Sequence, residues 1–522
     1  MAALTEPSRV GSKSNRAERK KLVSSIKQKA KDVLGSKENS NNIVEILEYL
    51  QHDEKDIVNA AIQSTSRIFC HLLAEDEMIP APGVSGSKEK YRLWLQARYN
   101  DAIRCLCNVV GTFVTVPVLQ ELALRTLMKF VAEESKHPFK KEGSSSNYFF
   151  PIHIIALLVP QLLSKTVVFS ELIGRCKEYM EYDDVRYHVL QHVQHRISKQ
   201  AKEKLNPMEM TTLCNNTVNL LHTVTMPTDE ESINNFLGMI PDPDEGGKIM
   251  NLKEHRRVFT NAWLAFLRFP LPNSVYKQIL INIHENVMPH MTTPLHLTDF
   301  LTASYDIGGA ISLLALNGLF ILINQYNLEY PDFFTKLYAM FEPSLFHVKY
   351  KARFFHLADM FLSSTHLPSY VVAAFAKRLS RLSLTAPPHA LMMLIPFVCN
   401  LLMRHPNCKV LVHRPHGPRE LSDDPYKMDE PNPAKCNALE SSLWEIQTLK
   451  SHYDPGVSRS AANIEKPFPK VEWDLDLDLT IPQMVAKETK KKMKTMPLEF
   501  EPAKGLLGGG GQDMFDARFW VV

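Results

Sequence analysis

The sequence predicts an all-α protein: an irregular α-solenoid of HEAT- or armadillo-like helical hairpins, with disordered basic termini. Three observations predict it. Apolar residues recur at helical spacing through most of Leu316–Pro388, as Leu316, Leu319, Phe320 and Ile323, then Phe354, Phe355, Leu357, Phe361 and Leu362. Breaks at Tyr330-Pro331 and Leu367-Pro368 cut that stretch into hairpin-sized runs. Strand-type alternation is nearly absent, the one clean run being Val471–Leu479.

The elements follow in order. Residues 1–40 carry ten Lys/Arg against four acids and are expected to be a basic extension, disordered at its start, with helix as the alternative further on. Helical spacing then begins, over Ile43–Leu50, Ile57–Leu73, Lys88–Val110, Pro117–Ala132, Phe149–Leu163 and Val185–Ile197. No strict period links these runs, so 41–225 is read as an irregular helical-repeat region. Residues 226–250 are acidic, with Pro241, Pro243, Gly246 and Gly247, and mark a linker. Helices resume at Leu252 in a second helical domain, 251–455. It is interrupted at 413–437, where Pro and Asp predict a long surface loop. A last helix is expected at Leu439–Leu449, followed by a C-terminal extension, 456–522, with Gly508–Gly511 near its end. At 522 residues the chain exceeds what one core supports.

Composition narrows the function classes. The net charge of +3 argues against a global basic field. The eight cysteines are scattered without a CxxC pair, which predicts a reduced compartment. The N-terminus has no apolar stretch of the secretory type. Ile307–Leu328 and Leu382–Met403 lack charges, which raises the alternative of a membrane span. Asn317, Asn324, Gln325 and Asn327 in the first run, and Pro387, Pro388, His389 and Pro396 in the second, favour buried helices.

No arrangement supports catalysis, and no cofactor or metal is expected. His188, His192 and His195 share one helical face without HExxH or a further ligand, and read as a partly exposed polar face. Asp474, Asp476 and Asp478 resemble the start of an EF-hand, but Leu479 and Val485 stand where Gly and Glu are needed. Gly246-Gly247-Lys248 lacks the rest of a P-loop. Glu440 and Glu445 sit five residues apart and read as solvated.

The candidates are therefore contact residues. Lys349, Lys351 and Arg353, with Lys377, Arg378 and Arg381, form basic groups that suit a partner or RNA phosphates. Tyr330 and Tyr338 are candidate aromatic anchors. Arg16, Arg19, Lys20 and Lys21, and Lys490, Lys491, Lys492 and Lys494, are candidate nuclear-targeting clusters.

Longer blocks carry a resemblance. LNGLFILINQYNLEYPDFFTKLY, HVKYKARFFHLADMFLSSTHLPSYVVAAFAKRL, VLVHRP, DPY and LESSLWEI resemble the CCAAT-binding-factor-type domain of the nucleolar complex (Noc) family. The match is dense over about 250–455. It weakens at Leu127–Ala132, Glu181–His188, Pro497–Phe500 and Gly505–Gly508, and stops after Gly508. The resemblance implies a non-enzymatic scaffold of the nucleus and nucleolus. It implies a stable heterodimer with nucleolar protein 14, a place among small-subunit processome proteins, and a role in small-subunit rRNA processing and pre-40S maturation and export. Pre-rRNA would be met through the particle or directly. The alternatives are a nuclear helical-repeat adaptor without ribosomal partners, and a nuclear-envelope protein spanning at 307–328 and 382–403.

Overall fold

Regular structure starts earlier than the charge pattern predicts. Leu22, Ile26, Ala30 and Val33 recur on one helical face among the lysines, and they seat the first helix, α1 (Val10–Gly35). The structure is a computed structural model that describes residues 10–79, 86–113, 115–139, 148–241, 247–414 and 423–490. It divides into two compact units, Met1–Phe333 and Phe334–Val522. Among the described residues there is no strand.

In the first unit α1 is followed by α2 (Asn42–Glu48), α3 (Lys55–Ala74), α4 (Ser87–Thr112), α5 (Pro117–Lys136), α6 (Ile152–Leu162) and α7 (Ser170–Met180). Then come α8 (Asp183–Gln200), α9 (Pro207–His222), α10 (Leu252–Leu267), α11 (Asn273–Asn282), α12 (Thr298–Tyr305) and α13 (Gly309–Tyr326). Alternate helices sort into two layers. α1 packs on α3, α3 on α5, α5 on α7, α7 on α9, α9 on α11 and α11 on α13. In the other layer α2 packs on α4, α4 on α6, α6 on α8 and α8 on α10. This is the stacking of helical hairpins in a solenoid.

Of the two readings of residues 1–40, helix is the one found from Val10 onward. Ile26 is fully buried against Ile57 and Ala60 of α3, with Leu22, Val23 and Tyr49 beside it. Arg19 pairs with Glu54 and Lys29 with Glu45, which ties the basic helix down. Beyond α1, Phe69, Tyr99 and Phe130 join α3, α4 and α5, their rings 5.3–6.1 Å apart. The Tyr99 hydroxyl donates to Glu134 Oε2 at 2.9 Å. Burial pushes the Glu134 carboxyl up to about 8, against the pull of that hydrogen bond.

The acidic 226–250 segment is not the boundary between the units; the division falls after Phe333. The segment folds back instead onto the start of α8. The Asp183 N–H donates to Asn235 O at 2.7 Å, and the Asn235 N–H returns to Asp183 Oδ2 at 3.0 Å. Asp184 accepts from the backbone N–H groups of Leu237 and Gly238, each at 3.2 Å. Gly238 permits this approach: a Cβ there would stand 2.4 Å from Ser135 Oγ.

Of the two charge-free runs, the first is α13. Its residues Ile311–Leu319 are all buried, and it stops at Asn327 in the left-handed region, φ 54°. Gly318 lies against α12, where a Cβ would meet Leu301 Cδ2 at 2.8 Å. α13 is long and apolar enough to cross a bilayer, but here its centre is core.

The second unit contains α14 (Phe333–Ala339), α15 (Lys351–Phe361), α16 (Ser369–Ser383), α17 (Pro388–Arg404), α18 (Trp444–Thr448), α19 (Pro455–Ala461) and α20 (Ile481–Thr489). α16 packs on α17 and α18, and α17 packs on α19 and α20. Phe341, Phe354, Phe355 and Phe375 make edge-on ring contacts at 5.0–6.2 Å in its core. The second charge-free run is not one helix. α16 ends at Ser383 and α17 starts at Pro388, because Pro387-Pro388 breaks the ladder.

Two further readings are corrected here. Leu439–Leu449 is a 3₁₀ turn, a break at Ser441–Leu443 and the short α18, since residues 441–443 are engaged in other contacts. The alternating Val471–Leu479 run turns at Leu477–Asp478 and pairs with no strand. The Asn400 amide of α17 takes that role: its Nδ2 donates to Trp473 O at 2.8 Å and its Oδ1 accepts from the Trp473 N–H at 2.9 Å.

Candidate interaction surfaces

The candidate cations on α16 follow its helical spacing, but the helix turns them inward. Lys377 has no accessible surface. Its Nζ donates to Glu445 Oε1 at 2.6 Å and to Ser442 O at 2.6 Å, and lies 2.9 Å from Asp424 Oδ2. Arg381 is placed one turn on, and contacts the same two carboxylates: 2.6 Å to Asp424 Oδ2 and 3.2 Å to Glu445 Oε1. The Trp444 indole N–H donates to Asp424 Oδ2 at 2.8 Å. The Trp444 ring lies under both cations, at 5.4 Å from Lys377 and 4.8 Å from Arg381.

Opposite forces act on the two acids. Burial pushes Asp424 up, but hydrogen bonds from Ser441, Trp444 and Lys377 outweigh it and hold the carboxyl below its usual range. Burial prevails at Glu445 and raises it, despite the Lys377 bond. Glu445 is buried, so the reading of this residue as solvated is corrected, whereas Glu440 is exposed.

Arg378 donates to Phe341 O at 2.8 Å and Met428 O at 3.0 Å, and stacks over the Tyr338 ring at 4.5 Å. Tyr338 is itself fully buried, its hydroxyl 2.7 Å from that of Tyr426. Lys377 and Tyr338 are thus internal, which corrects their contact role, while Arg378 and Arg381 are half-buried in the same set of contacts. They hold the return segment 423–445 onto α16. The described part of the expected 413–437 loop is accordingly packed, with Tyr426 and Cys436 buried.

The other candidates are scattered. Lys349 and Arg353 are exposed on the second unit. Lys351 is half-buried, and burial lowers it against the pull of Asp478. With Lys349 it lines a crevice of about 330 Å³ whose other wall is 477–482. Tyr330 belongs to the first unit and is half-buried. Tyr453 is 80 % exposed beside His452, ring centroids 4.3 Å apart, and sequence reasoning missed it because no periodic run includes it.

Arg16, Lys20 and Lys21 are exposed, but on the packed α1 instead of a free arm, and Arg19 is ion-paired. Lys490 is exposed; Lys491, Lys492 and Lys494 lie outside the described residues. His188, read as polar surface, is buried and stacked on Phe150 at 4.4 Å, and burial lowers it to about 4. His192 is half-buried and His195 exposed, so the three do not converge on one site. Among the described residues no group of His, Cys, Asp or Glu is placed to hold a metal.

Comparison with known proteins agrees with both units. Residues 15–202 match the family described as nucleolar complex protein 4-like, TPR repeats, and residues 312–461 match the CBF/Mak21 family. The chain is 47 % identical over 490 residues to nucleolar complex protein 4 homolog B of Xenopus laevis, covering 91 % of this chain and 92 % of the relative. It is 46 % identical over 494 residues to nucleolar complex protein 4 homolog of Homo sapiens, covering 92 % and 94 %. The Danio rerio homolog is also 46 % identical over 494 residues, covering 92 % and 93 %.

Proposed function

The chain belongs to the nucleolar complex protein 4 family, and from that premise we propose that it is a non-enzymatic nucleolar scaffold of ribosome biogenesis. The observation that carries this reading is the extent of the match, more than nine-tenths of both chains and both units. The fold supports it: stacked helices present side chains along an extended surface. The finer reading is a heterodimer with nucleolar protein 14 inside the small-subunit processome, acting in small-subunit rRNA processing and pre-40S maturation and export. We place the partner contact on the second unit, around the exposed Lys349 and Arg353.

Depletion, with rescue by a tagged full chain, tests the role. The expected result is nucleolar staining and a selective loss of small-subunit rRNA. Loss of large-subunit rRNA alone, or staining outside the nucleolus, would overturn it. Co-precipitation tests the contact. Full-length Lys349→Glu/Arg353→Glu should recover less nucleolar protein 14 than the parent; equal recovery rejects this placement.

A further inference from the structure

A groove of about 660 Å³ crosses α1, α3 and α5 in the first unit. Its lining includes Lys27 and Lys31 of α1, Arg67 of α3, and Arg125 and Lys129 of α5, and no carboxylate. All five cations are exposed and none makes an ion pair among the described residues. The acids one turn away are otherwise engaged: Glu121 lies 3.6 Å from Arg175, and Glu133 lies 3.1 Å from Lys136. A second crevice, of about 950 Å³, continues along α1 past Arg16, Lys20 and Lys27, with Asp56 on the α3 side.

Lys27/Lys31 and Arg125/Lys129 are each one helical turn apart, so the groove presents cations in rows on adjacent stacked helices. Such rows suit a polyanion with repeating charge. No aromatic ring lines the groove, so bases have nothing to stack on and only a backbone is read. Its apolar lining, Ala30, Leu34, Ala60 and Leu122, offers no pocket for the large anchors of a peptide.

We propose that the α1–α3–α5 groove binds the phosphate backbone of double-stranded RNA without reading its sequence. The site is argued from the groove itself and does not depend on the chain's partner or on where it acts.

The test uses the full chain and a labelled RNA duplex of about 20 base pairs, in fluorescence anisotropy at about 0.15 M salt. The expected result is binding whose affinity falls linearly on a log–log plot against salt. Arg67→Glu/Arg125→Glu/Lys129→Glu should weaken binding at least about tenfold and shallow the salt slope. Lys435→Glu/Lys470→Glu, at two exposed positions on the other unit, should leave it unchanged. If charge reversal lowers the melting temperature, the same positions changed to Gln carry the test, with a smaller loss. Failure of the parent chain to bind, or unaltered binding by the groove variants, overturns the proposal. Displacement of the duplex by polyglutamate at lower concentration than by unlabelled duplex also overturns it, and assigns the groove to an acidic protein.

Discussion

The two units use the same sequence device to opposite ends. Lys377/Arg381 and Lys27/Lys31 are both pairs of cations at i, i+4 on an amphipathic helix. In the second unit the pair is folded under a returning segment, and Asp424 and Glu445 neutralise it. In the first unit the Lys27/Lys31 pair stays on the solvent face, and the cation that is buried there, Arg186, pairs with buried Asp183 of its own helix. Spacing shows that two side chains share a face. Only the tertiary neighbours decide whether that face is a surface.

The strongest way to break this comparison is to remove one member of each pair. Lys377→Met leaves Asp424 and Glu445 with Arg381 alone, and should destabilise the second unit by about 3 kcal/mol in denaturant unfolding. Adding Asp424→Asn and Glu445→Gln should restore much of that loss. Lys27→Met is expected to stay within about 0.5 kcal/mol of the parent. Equal losses would mean that both clusters are structural.

Titration sharpens the contrast from the other side. The Glu134 carboxyl is raised from 4.5 to about 8 in the folded chain, so the native state holds more protons than the unfolded one between those values. This contribution is therefore full below pH 4.5 and is lost as pH rises to about 8. The limiting slope is about 1.4 kcal/mol per pH unit. Glu134→Gln should flatten that region of the stability profile, and an unchanged profile rejects the assignment.

Gly238→Ala probes the clasp on Asp184. The added methyl collides with Ser135, and should cost about 1–3 kcal/mol. Ser135→Gly in the same chain should recover some of it. A smaller loss is expected at Asn400. Asn400→Ala removes two hydrogen bonds to Trp473, for about 1–2 kcal/mol, read as faster proteolysis of the 466–480 segment.

The hairpin stack was legible because its signal is local. The apolar face of α3 or α5 repeats every turn, and that is how the helices were expected and found. α1 was hidden because its buried face is only Leu22, Ile26, Ala30 and Val33 among many lysines. Charge counting outweighed a weak stripe. The 471–479 alternation marked a segment whose partner is the end of one side chain, which no periodicity reveals. The α16 cluster was misread for a reason of distance in sequence. Glu445 lies 68 residues from Lys377, and Asp424 lies 43 from Arg381, so no local pattern pairs them. The basic groove stayed invisible because its residues come from three helices that meet only in the stack.

The two-layer arrangement of the first unit has a mechanical side. Most helices lean on the ones two places before and after them and on a sequence neighbour, so strain has no long-range strut to concentrate in. Such a stack yields the way a coil spring does, by small rotations shared among many joints, and it gives up order from an end inward before it snaps at its middle.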